Sequence, residues 1–266
     1  MGLVKDLLVR FVRDETSAAG FSKGVLGLSG GVDSAVSAAL TVEALGPQNT
    51  LGVILPYRTG NPESVAHAAT VATVLGIRTE TVDISPMVDA YCERHDVRDP
   101  VRRGNVMARM RMIVLYDTSA REKALVIGTS NKSEILLGYG TLHGDLASAI
   151  NPLGDLYKTQ IWHLAKLLKI PEVVVTKAPS ADLWEGQTDE GELGFTYGEV
   201  DALLYAMVDE RRKDNELEAM GFKQKFIAKV RRLMRDNQFK RRPPVIAKIS
   251  HRTVNVDFRY VRDWGK

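Results

Sequence analysis

The stretch that decides the fold is VLGLSGGVDSAVS, Val25 to Ser37. Its apolar start gives way to Ser29, Gly30 and Gly31, and from Val32 onward small residues suit a helix. A strand that turns on paired glycines straight into a helix opens a parallel α/β sheet, whose ligands sit beyond the carboxyl ends of the strands. Such a turn also builds an anion site, because N–H groups at the helix start are unpaired and the helix dipole adds positive charge. Glycine lets the main chain approach phosphate oxygens with no Cβ in the way. Gly27, Leu28, Ser29, Gly30, Gly31, Val32, Asp33 and Ser34 are therefore the candidate phosphate cradle, Ser29 and Ser34 adding hydroxyl donors. Asp33 conflicts with phosphate unless a cation intervenes, and magnesium, which takes one or two carboxylates plus phosphate oxygens, resolves the conflict. Two common phosphate motifs do not fit: no lysine follows the last glycine, and Gly27, Gly30 and Gly31 miss the dinucleotide spacing.

Outward from this turn, strands are predicted at 24–29, 50–56, 79–84 and 124–130, and helices at 32–45, 62–75, 86–94 and 102–121. Runs rich in Val, Ile and Leu, spaced by helix-length segments, predict parallel strands with helical crossovers. Right-handed crossovers place helices on both faces of one sheet, so the fold class is a doubly wound, mainly parallel α/β sheet. SGGVDS, YRTGNPES and SNKSE then follow the first, second and fourth strands, where ligands bind. Beyond residue 140 the pattern changes. GYGTLHGDLASAINPLGDLYK (138–158), rich in small residues, reads as a functional loop, and a helix is expected at 159–169. KAPSADLWEGQTDEGELGFTYGE (177–199) is polar and non-periodic, with the length of a lid or binding loop. Amphipathic helices at 198–213 and 222–236 lead to the basic turn KRRPP (240–244), and with no repeat or linker the chain reads as one domain over 1–266.

Composition excludes several classes. At 44% hydrophobic and 26% charged residues the chain is an ordinary globular protein, and a net charge of +3 is too small to argue for nucleic acid. No apolar run approaches the about 20 residues a bilayer requires. The start, MGLVKDLLVRFVRDE, is charged throughout, so neither a membrane partner nor a signal peptide is expected, and the cytoplasm is the expected location. Cys92 is the only cysteine, which excludes an internal disulfide and a cysteine-built zinc site. It reads as a helix packing residue, and His95 nearby has no convincing metal partner.

SGGVDS resembles the pyrophosphate loop of the ATP pyrophosphatases, which cleave ATP between the α and β phosphates to adenylate a substrate. That loop alone does not choose a member. GNVMARMRM (104–112), GTSNKSE (128–134), residues 138–160 and KAPSADLWEGQTDEGELG (177–194) do, being similar in content and order to the NAD synthetases over nearly the whole chain. The resemblance implies a Rossmann-like fold and the last step of NAD biosynthesis. Deamido-NAD would be amidated with ammonia through a nicotinate adenylate, releasing AMP and pyrophosphate. It also implies a magnesium ion on Asp33 and Glu134, Lys158 on the triphosphate, Thr129 and Ser180 against ATP, and Arg109 and Lys240 on deamido-NAD. Asp145 matches the position suspected of taking a proton from ammonium, and a homodimer with deamido-NAD near the subunit interface is expected.

Three departures stand out. Leu142, Ala149 and Phe239 occupy positions where another branch of the family has a Lys, an Asp and a His that touch deamido-NAD. The synthetase features begin at residue 25, which leaves no length for a glutamine amidase domain before them, so free ammonia is the expected donor. The alternatives are another adenylating pyrophosphatase, tRNA-modifying or GMP synthetase-like, and a nucleotide-binding module without turnover. A single cysteine argues against the sulfur-transferring enzymes, and the presence of Asp33, Glu134, Lys158 and the lid argues against a silent module.

Overall fold

The computed structural model describes residues 1–180, 182–184, 186–242 and 244–254. Ala181 and Glu185 of the expected lid, Pro243 of the basic turn and the last twelve positions of the expected domain lie outside the described residues. Helix α1 (Gly2–Ala18) precedes β1 (Gly24–Gly27), α2 (Val32–Leu45), β2 (Thr50–Ile54), α3 (Pro62–Leu75), β3 (Arg78–Thr81), α4 (Ser85–Arg94), α5 (Pro100–Glu122) and β4 (Leu125–Val126). All strand pairs are parallel and the order is β3-β2-β1-β4, with Gly24 opposite both Thr50 and Leu125. The chain builds outward from β1 to β3, then returns to add β4 on the other side of β1. The crevice beyond the ends of β1 and β4 is therefore the topological switch point, the place where such sheets bind ligands.

Helices cover both faces, as the alternating pattern predicts. On one face α2 is buried from Val32 to Leu40 apart from Asp33, and its Ala35, Ala38 and Ala39 let the helix approach the sheet closely. Leu28 lies over Gly52 of β2, where a Cβ would stand 2.2 Å from Leu28 Cδ1. On the other face Val25, Val53, Ile84, Val88, Met107 and Leu115 form a second cluster that includes Cys92, which is 2% exposed. Among the described residues the His95 ring contacts only the Tyr91 ring, at a tilt of 42°. β3 forms an exposed, polar edge, with its Arg78 paired to Glu122; such residues discourage edge-to-edge pairing.

The second half comprises α6 (Lys132–Leu137), α7 (Lys158–Leu167), α8 (Glu172–Val175), α9 (Asp189–Leu193), α10 (Tyr197–Leu204), α11 (Asp214–Ala219) and α12 (Gln224–Asp236). A third apolar cluster, including Leu137, Tyr157, Leu193, Tyr197, Leu203, Ile227 and Val230, joins α6, α9, α10 and α12 into a buttress beside the sheet. Three expectations need correction, and four short helices were not expected. The strand expected at 124–130 pairs with β1 only over Leu125–Val126; Ile127 then bridges Ile150, and the Gly128 N–H donates to Ile150 O at 2.7 Å. The strand expected at 79–84 is instead Arg78–Thr81. The helix expected at 198–213 ends at Leu204 and continues as a π turn over Tyr205–Asp209, with Arg211 left-handed at φ 57°. Finally α6, α8, α9 and α11, of four to six residues each, carry too little sequence for a helical period to show.

Candidate active site

The turn after β1 is shaped by one glycine. Gly30 has φ 77°, and a Cβ there would stand 2.1 Å from the Ser64 carbonyl oxygen in the first turn of α3. No other residue meets both constraints. Ser34 Oγ donates to Gly31 O (2.9 Å) and lies 3.1 Å from Ser29 Oγ, which accepts from the Gly31 N–H. Gly31 is the N-cap of α2 and no side chain caps it, so the first-turn N–H groups are left for a ligand. All of the sequence-predicted cradle except Gly30 lines a cavity of about 690 Å³, and Gly30 acts from behind by letting α3 approach.

At the floor of that cavity two carboxylates share one ammonium. Lys158, 3% exposed at the start of α7, binds Asp33 Oδ2 and stands 3.7 Å from Glu134 Oε1. Asn131 links the two acids: its Nδ2 donates to Asp33 Oδ1 (2.9 Å), and it forms a capping box with Glu134 at the start of α6. Asp201 of α10 fixes the two helix starts relative to each other. It accepts from Ser133 Oγ (2.5 Å) and from the Thr159 N–H (2.8 Å), while Ser133 Oγ accepts from the Lys158 N–H (3.0 Å). A third acid, Asp189, is held by the hydroxyls of Tyr139 and Tyr197, each at 3.1 Å. Burial, and next the charge of Asp33, push the Glu134 carboxyl up to about 8 against the pull of Lys158. Burial alone would depress Lys158, but Asp33 and Glu134 outweigh it and raise its pKa. With two carboxylates against one ammonium, the cluster is short of positive charge.

That shortage is a test for a divalent cation. Among the described residues no group of three or more His, Cys, Asp or Glu side chains could hold a metal alone. Two carboxylates beside a phosphate cradle are nevertheless the protein share that magnesium ordinarily takes, with phosphate oxygens and water supplying the rest. The residues present fit the ion.

Other candidates fall around the same cavity, which Thr129, Asp145, Ser180 and Lys240 line. Thr129 lies three residues past β4, and Ser37 Oγ donating to Gly128 O (2.8 Å) ties that loop to α2. Asp145 Oδ1 accepts from the Thr141 N–H (2.7 Å). The protein walls raise its carboxyl pKa by desolvation, against that hydrogen bond and the charges of Arg111 and Lys240. The side chain is open to solvent through the cavity, which tempers the rise. Lys240 Nζ donates to Gly138 O (2.7 Å) and Gly140 O (3.0 Å). Ser180 Oγ donates to Gln187 O (2.7 Å), so its hydroxyl proton braces the 177–199 segment itself. Asp182 of that segment accepts from Ser64 Oγ (2.6 Å) and the Asn61 N–H (3.2 Å), and so fastens the segment across the cavity onto the start of α3.

Arg109 is placed differently. It is exposed, donates to Leu142 O (3.2 Å) and does not line the cavity, whereas Arg111, two residues on, does. Residues two apart on a helix point about 200° apart, so one of the pair faces in and the other out. Of the three departures, Leu142 offers Arg109 its carbonyl, the Ala149 N–H donates to Val126 O, and Phe239 is 60% exposed.

The family model described as NAD synthase matches residues 4–244. The chain belongs to that family. Among its relatives, an NH(3)-dependent NAD(+) synthetase of Trichlorobacter lovleyi is 58% identical over 99% of this chain and 97% of its own length. Two solved structures are similar. An NMN synthetase from Francisella tularensis has a TM-score of 0.83 at 32% identity, over 93% of this chain and 98% of that one. An NH3-dependent NAD synthetase from Campylobacter jejuni, solved with a nitrate ion, has a TM-score of 0.79 at 34% identity, over 93% and 99%. In this chain the residues that sequence reasoning missed are Asn131, Asp189, Asp201 and Arg111. Asn131 carried a signal: N-x-x-E in SNKSE is a capping-box pattern, and it places Asn131 at the helix entry beside Glu134. Asp189 and Asp201 carried none, since both reach the cluster only through tertiary packing.

Proposed function

We propose that this chain makes NAD from deamido-NAD, ATP and ammonia, with AMP and pyrophosphate as the other products. Membership of the NAD synthase family carries the reaction class and the use of ATP. The observation that supports the chemistry best is Lys158 held between Asp33 and Glu134 at the switch point, directly below an uncapped helix start.

The substrate's carboxylate is a poor acyl donor, because ammonia cannot displace an oxide. Attack of a carboxylate oxygen on the α-phosphorus forms an O–P bond and expels pyrophosphate, which converts that oxide into the leaving group AMP. Helix-start N–H groups, Ser29 and Ser34 hold the phosphates, and Lys158, a point charge held in place by Asp33 and Glu134, meets the negative charge that builds on the departing pyrophosphate. Thr129 and Ser180 flank the nucleotide. Asp33 and Glu134 would hold magnesium, which when bound neutralises phosphate charge. Asp145 then takes the proton from ammonium, freeing ammonia to attack the acyl carbon and release AMP. The 177–199 lid excludes water from the adenylate, whose hydrolysis would waste ATP. Arg109 and Lys240 hold deamido-NAD at the two sides of the 138–157 loop.

Ammonia as the direct donor agrees with the chemistry of Cys92: glutamine hydrolysis by a thiol needs an accessible cysteine, and this one is sealed in an apolar cluster. The family match spans nearly the whole chain, in keeping with a single synthetase domain. A homodimer fits the apolar Val101, Ile113 and Tyr116 left exposed along α5, Val101 lying at the cavity mouth. Among the described residues no helix is long and apolar enough to cross a membrane, and we place the enzyme in the cytoplasm.

The test incubates the purified chain with ATP, magnesium, deamido-NAD and either ammonium or glutamine, and quantifies AMP and NAD. Equal AMP and NAD with ammonium, and neither with glutamine, is the expected result. Turnover of the mononucleotide acid in preference to deamido-NAD would move the substrate assignment toward NMN formation.

A further inference from the structure

A buried charge without a partner is costly, so one that persists in a folded protein points to something absent that completes it. Arg111, part-buried in the cavity wall, is a charge of this kind. On α5 its Nε donates to Leu55 O (3.1 Å) just past β2, which fixes the side chain while it lines the cavity. Among the described residues that is its one hydrogen bond, and no ion pair includes it. Nearby arginines of α5 are engaged elsewhere: Arg103 with Tyr57 and Val97 O, Arg109 with Leu142 O, Arg121 with Glu80. Burial depresses the Arg111 pKa, and the charges that oppose this belong to Asp182 of the lid and Asp145. A fixed cation and the Asp145 carboxylate thus face one compartment. The reaction read above joins an anionic acid to a cationic amine source, and the two side chains match those two reactants in charge.

We propose that Arg111 is the receptor for the carboxylate that becomes the amide, and that it sets the preference of the site for the acid over the amide product. The idea rests on the NAD synthase reading. A guanidinium presents parallel N–H donors that a carboxylate satisfies with both oxygens. A carboxamide offers one oxygen and turns an NH2 group toward the second donor, which leaves a buried donor unpaired. When one carboxylate oxygen bonds to the α-phosphorus and pyrophosphate departs with the electron pair of the broken P–O bond, the other oxygen stays on Arg111 as the acyl carbonyl. Hydrogen bonding there polarises the carbon that ammonia attacks on the Asp145 side.

Binding of deamido-NAD, NAD and AMP is titrated separately on the parent, Arg111→Gln and Arg111→Lys. The parent should prefer deamido-NAD to NAD. Arg111→Gln should weaken deamido-NAD by about 10- to 100-fold, the cost of a lost charge-assisted pair, and shift NAD and AMP by less than about threefold. Arg111→Lys, which keeps the charge without the fork, should lose part of the preference, and it carries the test should the glutamine variant not fold. Equal losses for deamido-NAD and NAD would assign the side chain to packing. A loss confined to AMP would put it on the nucleotide phosphate. Either overturns the proposal. If the parent itself forms no NAD, the underlying reading fails instead; a parent that forms NAD beside a variant with unaltered acid preference sinks only the role of Arg111.

Discussion

Replacing Asp33 by asparagine is expected to lower kcat by about 100- to 1,000-fold, the range seen when one preorganised electrostatic contact to a transition state is removed. The substitution keeps the shape and leaves an oxygen for the Asn131 amide, now 2.9 Å from Oδ1, so the turn should persist. What it removes is negative charge at the one place where a carboxylate, an uncapped helix start and the Lys158 ammonium meet. The variant should also need more magnesium for half-maximal rate. Pyrophosphate release followed against magnesium concentration checks both effects; a variant with the parent's rate and metal requirement would remove Asp33 from the chemistry.

Lys158→Met should cost both activity and stability. The lysine is almost wholly buried, with Asp33 and Glu134 as ion-pair partners and the charge of Asp189 close enough to act on it. Its removal leaves buried carboxylates facing one another, a defect of about 3 kcal/mol in the metal-free protein by analogy with broken buried pairs. Glu134 gives the defect a pH signature. Its folded pKa already lies near 8 against 4.5 for the free side chain. A raised carboxylate pKa means the folded state binds the proton more tightly, so this contribution favours folding at low pH and is lost as pH rises from about 4.5 through 8. Without Lys158 the loss grows, and the thermal midpoint of the variant should fall further below the parent at pH 8 than at pH 5. A deficit independent of pH would show that the methionine merely packs badly. Activity should drop by about 100-fold or more, since the charge on departing pyrophosphate loses its preorganised counter-ion.

Legibility in the sequence followed a physical divide. The doubly wound sheet could be read because strand and helix periods are local, and the Ser-Gly-Gly turn announced the switch point because only glycine tolerates the conformation and approach at Gly30. Asp33, Glu134 and Lys158 could be named through motifs that travel together. Asp201 and Asp189 could not, because their carboxylates reach the cluster from α10 and the lid end, 42 residues beyond Thr159 and 68 beyond Ser133 in one case and across a non-periodic segment in the other. The arginines of GNVMARMRM divide the same way. Sequence likeness marks Arg109, but which of the two faces the cavity depends on how α5 rotates against β1, and tertiary packing settles that in favour of Arg111. The π turn at Tyr205–Asp209 also escaped, since the Asp209 side chain that ends it is anchored by Lys132 and Tyr157, contacts made only in the tertiary fold.

The most direct measurement is diffraction from crystals grown with a non-hydrolysable ATP analogue and manganese in place of magnesium, the cation being located by its anomalous signal. A peak within bonding distance of both the Asp33 and Glu134 carboxylates, with the triphosphate on the Ser29–Ser34 turn, is the predicted result. A triphosphate bound elsewhere, or a cation that leaves both carboxylates free, would contradict it.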